Sequence, residues 1–139
     1  MKKTTLLNAP LSAVIAELGH TDTITVCDCG LPIPATTERI DLAITQGTPT
    51  FYDVFNAITA ELCIEKVTIA KEMRNISPEF HKAFLTRIEE VAKEQGNTIE
   101  IEEVPHTEFK QRTAESTAIV RSGECTYYAN AIITAGVAF

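Results

Sequence analysis

A small set of polar side chains falls where the predicted strands meet their loops. His20 lies in the turn before the first predicted strand, Asp28 at the end of that strand, and His106 just after a later strand. Tyr128 and Asn130 lie in the loop that leads to the last strand. Imidazole exchanges protons near neutral pH, and carboxylate, phenol and amide groups bind hydroxyls. This combination suits a polyhydroxylated ligand that is held while a proton is moved, at the strand ends where α/β sheets bind ligands.

Each of these residues also has an ordinary structural interpretation. A histidine in a turn, such as His20, commonly caps or hydrogen-bonds to the backbone, and Asp28 before Gly30 is typical of a turn former. The Tyr128 ring is compatible with packing, its hydroxyl bonded locally. His81, near the start of the longest predicted helix, is expected to be solvated or structural, and we give it no role. Residue type alone therefore does not separate a site from its scaffold.

The four cysteines form no recognisable metal or nucleophile motif. Cys27 and Cys29 make a Cys-x-Cys near His20, but zinc sites usually repeat a Cys-x-x-Cys or add histidines at defined spacing, and no second pair is present. Shared burial on one face of a strand explains the two cysteines equally well. Cys125 has no activating base nearby in sequence. Neither a dinucleotide glycine pattern nor a Walker-type Gly-Lys-Ser/Thr occurs, and we predict neither a metal nor a cofactor.

The composition is that of a folded protein without affinity for polyanions. Apolar residues make up 45% of the 139 residues and charged residues 22%; the formal net charge is −7, and tryptophan is absent. A chain of this charge repels DNA, RNA and anionic membranes. Its apolar runs are shorter than the ~20 residues that cross a bilayer, and polar residues interrupt the apolar stretch that a signal peptide needs. We therefore expect a cytoplasmic protein with reduced thiols.

Helical and strand patterns alternate along the chain with short loops between them, which is typical of an α/β fold. Asn8 and Pro10 suit the start of a first helix and Gly19 its end. Thr50 caps a second helix, and Ser77-Pro78 begins the longest. Strands are predicted over Thr23–Cys27, Arg39–Ile44, Ile64–Ala70, Thr98–Val104, Ala118–Arg121 and Asn130–Thr134, and a short helix over about Thr107–Thr113. No linker or repeat divides the chain, so we predict one domain over residues 1–139.

Six separated segments agree in order and spacing with one known family. They are Leu18–Asp22, Cys27–Pro34, Gly96–Ile101, Thr113–Ser116, Arg121–Glu124 and Tyr128–Asn130. In these segments the chain resembles the D-ribose pyranase family, whose sister group is the L-fucose mutarotases, and the similarity runs from Met1 to Phe139. The resemblance implies a single three-layer α/β/α domain with a mostly parallel or mixed central sheet.

The resemblance also implies an activity and a set of site residues. Family members are cofactor-independent isomerases that interconvert the β-pyranose and β-furanose forms of D-ribose and supply the furanose to ribokinase after uptake. By this resemblance His20 is the proton donor, while Asp28, His106 and the segment Tyr128, Ala129, Asn130 bind the sugar. The family assembles as pentameric rings stacked into a decamer, and a neighbouring chain completes each pocket. A homodecamer without nucleic-acid or membrane partners is therefore expected.

Two positions depart from the residues that are usual in the family. Cys29 stands where alanine is common, and Tyr127 where proline is frequent. Because Cys29 keeps a small side chain beside Asp28, we expect the loop to be retained. Tyr127 is expected to affect the approach of Tyr128. Neither departure removes a proposed catalytic group.

Opening a cyclic hemiacetal requires a proton on the ring oxygen while the anomeric hydroxyl loses one. We hypothesise that His20 donates the first proton and that Asp28 orients the sugar, while His106 either binds a hydroxyl or takes the anomeric proton. Two other functions stay open: a non-catalytic sugar-binding accessory or regulator of a ribose uptake system, and a cysteine-based metal or redox protein. The preference between ribose and a related sugar such as fucose depends on the shape of the pocket.

Overall fold

The computed structural model describes all of residues 1–139 and contains six strands and five helices. The strands are β1 (Thr23–Cys27), β2 (Glu38–Asp41), β3 (Ile64–Ala70), β4 (Glu100–Val104), β5 (Ala118–Arg121) and β6 (Ala131–Ala135). The helices are α1 (Ala9–Glu17), α2 (Phe51–Thr59), α3 (Glu72–Ile76), α4 (Pro78–Gln95) and α5 (His106–Arg112). A 3₁₀ turn at Thr113–Glu115 follows α5.

All six strands join one mixed sheet in the order β2-β5-β1-β6-β3-β4. β6 runs antiparallel to both of its neighbours, β1 and β3, and the remaining pairs are parallel. Five strands therefore end on one side of the sheet, and β6 begins there. We call this side the carboxyl end of the sheet; it is marked by Cys27, Val104 and Ala131. The amino end is the opposite side, marked by Thr23 and Ala135.

One face of the sheet carries α1, α2 and α4 and buries the main hydrophobic core of 25 residues. Phe51 and Phe55 of α2 pack on Phe84 of α4, with the centroids of both ring pairs 5.0 Å apart and the rings edge-on. Complete burial of each ring contributes roughly 2–3 kcal/mol. α4, the longest helix at 18 residues, ends at Gly96 in the left-handed conformation. Neither α4 nor another helix is long and apolar enough to cross a membrane.

The opposite face is covered only near the carboxyl end, where Phe109 of α5 is buried against the sheet. Towards the amino end this face is polar and lines an open cavity of about 400 Å³. Glu102 lines this cavity and accepts from Lys66 Nζ at 3.1 Å and from Arg112 Nη1 at 2.9 Å. The second helical layer is therefore thin, and it leaves part of the sheet face open.

The predicted α/β class and mixed sheet are confirmed, and so are the predicted N-terminal caps of α1 and α2. Asn8 caps α1 by accepting from Leu11 N at 2.9 Å. Thr50 and Asp53 form a reciprocal capping box on α2, in which each side chain bonds to the other's backbone N–H. These interactions form between residues three positions apart, which explains why the sequence alone predicts them.

Two predicted strands are shorter in the structure, and one helix was not predicted. β2 ends at Asp41 rather than at Ile44, because the chain turns back there: Ile44 N bonds to Thr48 O at 3.0 Å. β4 begins at Glu100 rather than at Thr98. The five-residue helix α3 was not predicted, since a single turn is too short to show helical periodicity.

Gly123 joins the loop between β5 and β6 to the loop that follows β2. Its N–H donates to Pro49 O at 2.7 Å, and its carbonyl accepts from Gly47 N at 2.6 Å. A Cβ atom at this position would lie 2.4 Å from Thr48 O and 2.6 Å from Thr45 O, both of them backbone atoms. The close approach of the two loops therefore requires glycine.

We expect Gly123→Ala to lower the free energy of unfolding by about 2–3 kcal/mol, because the added methyl group must push backbone aside. Gly19→Ala is the matched control, since its Cβ would meet only Asp22 Oδ2 at 3.4 Å, and it should remain within about 1 kcal/mol of the native protein. Urea unfolding followed by circular dichroism measures both changes. Equal stability of the two variants would contradict the clash.

Candidate functional site

Three segments that the sequence analysis singled out meet at the carboxyl end of the sheet. Asp28 follows β1, His106 begins α5 just after β4, and Tyr128 and Asn130 precede β6. Together with Gly30 and its neighbours they line a cavity of about 270 Å³, which we call the Asp28 cavity. Its volume lies just below the usual range for ligand pockets, about 300–1,000 Å³. Larger cavities exist elsewhere, but only this one gathers the predicted residues.

Asn130 holds Asp28 at two points. Asn130 Oδ1 accepts from Asp28 N at 2.8 Å, and Asn130 Nδ2 donates to Asp28 Oδ2 at 2.8 Å. The other carboxylate oxygen, Asp28 Oδ1, accepts from Gly30 N at 2.9 Å. Asn130 is only 1% exposed. Its buried amide group therefore fixes the orientation of the Asp28 carboxylate.

Burial moves the two titratable groups of the cavity towards their neutral forms. It raises the pKa of Asp28, although hydrogen bonds from Gly30, Asn130 and Leu31 oppose the effect. Burial also lowers the pKa of His106 below its ordinary value of 6.5; Lys110 adds to this shift, while negative charges nearby oppose it. At neutral pH the His106 ring is therefore a hydrogen-bond and proton acceptor.

The His106 ring is held between two aromatic rings. Its centroid lies 4.8 Å from that of Tyr128, edge-on, and 6.2 Å from that of Phe109, stacked. The His106 backbone N–H donates to Glu72 Oε2 at 3.0 Å. The ring atom Nδ1 is buried and has no hydrogen-bond partner. Unpaired buried nitrogens are uncommon in folded proteins, and this one favours a functional role for the ring.

The segment Tyr128-Ala129-Asn130 is a tight turn with an unusual backbone. Tyr128 has φ +62°, and Asn130 N bonds to Tyr128 O at 2.7 Å, which closes a three-residue turn around Ala129. Ala129 is completely buried, so its methyl group does not reach the cavity surface. A small residue is what the tight turn requires at this position. Thr21, next to His20, is the other non-glycine residue with positive φ, at +73°. Such strain costs of order 1–3 kcal/mol and is concentrated at functional sites.

His20 lies at the amino end of the sheet, away from the other predicted site residues. It precedes β1, whereas Asp28 follows it, and a strand of five residues spans roughly 16 Å. The His20 side chain is 54% exposed, and its Nε2 lies 3.0 Å from Glu65 Oε2. The carboxylate of Glu65 orients the imidazole ring. Within one chain, therefore, His20 is outside the Asp28 cavity.

Three carboxylates that shape these positions were missed by the sequence analysis. Glu65 orients His20, and Glu72 accepts from the backbone of His106. Glu124 accepts from Phe51 N at 3.3 Å, Cys125 N at 3.1 Å and Thr126 Oγ1 at 2.8 Å, so it ties the loop before Tyr128 to the start of α2. The contacts to His20, His106 and Phe51 join residues 45, 34 and 73 positions apart. No local pattern marks pairings of that kind.

The two positions that depart from the usual residues of the resembled family both lie beside the Asp28 cavity. At Cys29 the bond from Gly30 N to Asp28 Oδ1 closes the turn around this residue. Tyr127 is exposed and lines the mouth of the cavity, and its carbonyl accepts from Ser77 Oγ at 2.7 Å. Asp28 and Tyr128 both reach the cavity with these residues in place.

The remaining candidates have structural explanations. His81 is buried, with Nε2 3.1 Å from Glu103 Oε1, so its structural interpretation is confirmed. Burial, and secondarily Asp28, raises the pKa of Cys27 to about 12, which makes that thiol inert at neutral pH. No group of three or more His, Cys, Asp or Glu side chains is arranged to hold a metal ion. The expectation of no metal and no cofactor stays a prediction.

We expect Glu72→Gln to lower the pKa of His106 further below 6.5, because glutamine keeps an acceptor for His106 N but removes the negative charge. An NMR titration of the three histidine rings measures the shift. The native state should lose stability as the pH falls below 6.5, where the unfolded chain takes up the proton first. Glu79→Gln, an equal charge change at an exposed position, is the control. A His106 pKa that is unchanged or raised by Glu72→Gln would contradict this electrostatic role.

The sequence of this chain is similar to those of a known family and of named proteins. The RbsD / FucU transport protein family matches residues 1–138. D-ribose pyranase from Escherichia coli O6:H1 is 55% identical over 139 residues, and D-ribose pyranase from Escherichia coli strain K12 is 54% identical over the same length. Each alignment covers 100% of this chain and 100% of the relative.

Solved structures share the fold over almost the whole chain. The structure of Bacillus subtilis RbsD complexed with D-ribose has a TM-score of 0.88 and 42% identity, and the match covers 100% of both chains. The fucose mutarotase from Streptococcus pneumoniae, in complex with L-fucose, has a TM-score of 0.77 at 20% identity and covers 94% of this chain and 93% of its own, which is a likeness of fold. Because one family matches residues 1–138 and full-length relatives are more than half identical, this chain belongs to the RbsD / FucU transport protein family.

Proposed function

We propose that this protein is a D-ribose pyranase, an isomerase that interconverts the β-pyranose and β-furanose forms of D-ribose. The observation that carries the proposal is the Asp28 cavity, where a carboxylate, an imidazole and a phenol converge in a chain 55% identical to D-ribose pyranase over its full length. A relative of the same fold was solved in complex with D-ribose. The furanose feeds ribokinase in ribose catabolism, which is a cytoplasmic role.

The reaction breaks the bond between the anomeric carbon and the ring oxygen, then closes the ring through a different hydroxyl. Opening needs a proton donor at the ring oxygen and an acceptor for the proton of the anomeric hydroxyl. Asp28, oriented by Asn130, accepts from a sugar hydroxyl, and neutral His106 binds a second hydroxyl or takes the proton of the anomeric hydroxyl. Ring opening already proceeds in water, so acid–base catalysis of ~10²–10⁴-fold is sufficient.

In this proposal His20 is the proton donor and acts in the cavity of a neighbouring subunit. In one chain His20 and Asp28 lie at opposite ends of β1, yet His20 is exposed and oriented by Glu65. A head-to-tail contact brings the amino end of one sheet to the carboxyl end of the next, and repeated contacts of this kind close into rings. The assembly we propose is a homodecamer of two pentameric rings, in which neighbouring subunits complete each site.

We expect catalytic amounts of the protein to accelerate pyranose–furanose exchange of D-ribose in saturation-transfer NMR of the anomeric protons. His20→Gln should lower the acceleration by at least about 100-fold, because glutamine can bond to Glu65 but cannot transfer a proton. The affinity for ribose and the melting temperature should change little, which separates lost chemistry from lost folding. Arg39→Gln, an exposed change on β2, is the control that should keep full activity.

Three outcomes of this experiment would change the proposal. Binding of ribose by the native protein without faster exchange would favour a non-catalytic sugar-binding accessory of an uptake system. Full activity of His20→Gln would remove His20 as the proton donor while leaving the isomerase in place. Faster exchange of fucose, with ribose unaffected, would change the substrate but not the type of reaction.

Mixing two inactive variants tests whether neighbouring subunits share a site. Asp28→Asn and His20→Gln should each be inactive alone. When the two are unfolded together and reassembled in equal amounts, about one quarter of the sites should combine an intact His20 from one chain with an intact Asp28 from its neighbour. The regained exchange rate measures this fraction. A mixture that stays inactive after reassembly to the native size would place both groups in one subunit's site.

A further inference from the structure

Cys29 and Cys125 lie side by side although they are 96 positions apart in sequence. Their Sγ atoms are 3.6 Å apart, and both thiols are free. A disulfide bond is about 2.05 Å long, so the two sulfurs need to approach by about 1.6 Å. Rotation of the two side chains supplies a movement of that size.

Backbone contacts already fix the two loops against each other. Cys29 N donates to Glu124 O at 2.8 Å, and the guanidinium group of Arg121 donates to Cys29 O at 3.1 and 3.2 Å. On the other loop, Cys125 N donates to Glu124 Oε1 at 3.1 Å. The sulfurs therefore face each other from two anchored loops, which is the geometry that favours an intramolecular bond over bonds to other molecules.

A small cavity of about 160 Å³ opens on the pair and admits small molecules from solvent. Cys125 is exposed and Cys29 is partly exposed, whereas Cys27 is completely buried. Cys63 lies in another part of the molecule, where its thiol bonds to Val137 O at 3.4 Å. Of the four cysteines, these two alone combine access with a thiol partner.

We propose that Cys29 and Cys125 form a reversible two-thiol modification site for two-electron oxidants of the peroxide class. The thiolate of Cys125 attacks one peroxide oxygen, the O–O bond breaks, and the departing hydroxide is protonated to water, which leaves a sulfenic acid. The sulfur of Cys29 then attacks Cys125 Sγ, the S–O bond breaks, and the departing hydroxide takes the Cys29 proton as a second water. Two thiols are oxidised to one disulfide, and one hydrogen peroxide is reduced to two waters.

The surroundings of the two sulfurs set the order of these steps. The hydrogen bond with Cys125, together with partial burial, raises the pKa of Cys29, so this sulfur stays protonated longer as the pH rises. Cys125 is the more exposed sulfur and meets the oxidant first. Cys29 is the resolving thiol, already within 3.6 Å of the sulfur that it attacks.

The disulfide would join the two loops that line the Asp28 cavity. Asp28, Gly30 and Tyr127 border both that cavity and the smaller one at the cysteine pair. Because the sulfurs lie outside the Asp28 cavity, the bond holds the loops without filling the space for a ligand. The crosslink also closes a long loop in the unfolded chain, so we expect it to raise the melting temperature by about 5 °C or more.

The test treats the full-length protein with hydrogen peroxide, blocks remaining thiols with N-ethylmaleimide in denaturant, and maps the peptides by mass spectrometry. We expect peptides containing Cys29 and Cys125 to be joined and about 2 Da lighter than their reduced sum, with reversal by dithiothreitol. The melting temperature should rise on oxidation and fall on reduction. Cys63→Ser is the matched control and should behave like the native protein, whereas Cys29→Ser should lose both effects.

Three results would overturn the proposal. One is oxidation of Cys125 to sulfinic acid in the native protein without the internal bond. Another is a Cys125–Cys125 bond between two chains as the main product. The third is an unchanged melting temperature in protein whose Cys29–Cys125 bond is complete, which would show that the bond does not hold the two loops.

Discussion

The insertion of β6 between β1 and β3 is the interaction on which the rest of the structure depends. Without it the sheet divides into two parallel groups, β2-β5-β1 and β3-β4, which share no other strand pairing. β6 packs on both faces, with Ile133 in the main core and Ile132 beneath α5. Because β6 runs opposite to the other strands, it begins where they end. The residues just before it, Tyr128 and Asn130, therefore meet His106 and Asp28, and the antiparallel direction creates the site.

The two histidines proposed for the reaction occupy opposite environments. His106 is packed among aromatic rings and is kept neutral by burial. His20 is exposed beside the carboxylate of Glu65. The proposal therefore assigns hydrogen-bond acceptance to the ring inside the Asp28 cavity and proton donation to the exposed ring. Asp28 shares the environment of His106, and its carboxylate depends on Asn130 for orientation.

Sequence patterns predicted the parts of the structure that depend on near neighbours. The caps at Asn8 and Thr50 are formed within one turn of helix, so they can be read from the sequence. The strand-end rule located Asp28 and His106, while the roles proposed for them rest on family resemblance and not on any sequence pattern. The direction of β6 depends on pairings between distant residues such as Val26 and Ala131. The hydrogen bonds from Asn130 to Asp28 also join distant residues, and local patterns do not connect them.

The position of β6 also has a consequence for how the chain reaches its native state. β6 follows the other five strands in sequence but pairs in the interior of the sheet. Until it docks, β1 and β3 each present an unpaired edge, and such edges associate readily with other chains. Pairing of distant segments is also slow. We therefore expect a folding intermediate with two separate half-sheets, and substitutions that weaken β6 should promote aggregation during synthesis before they impair the folded enzyme.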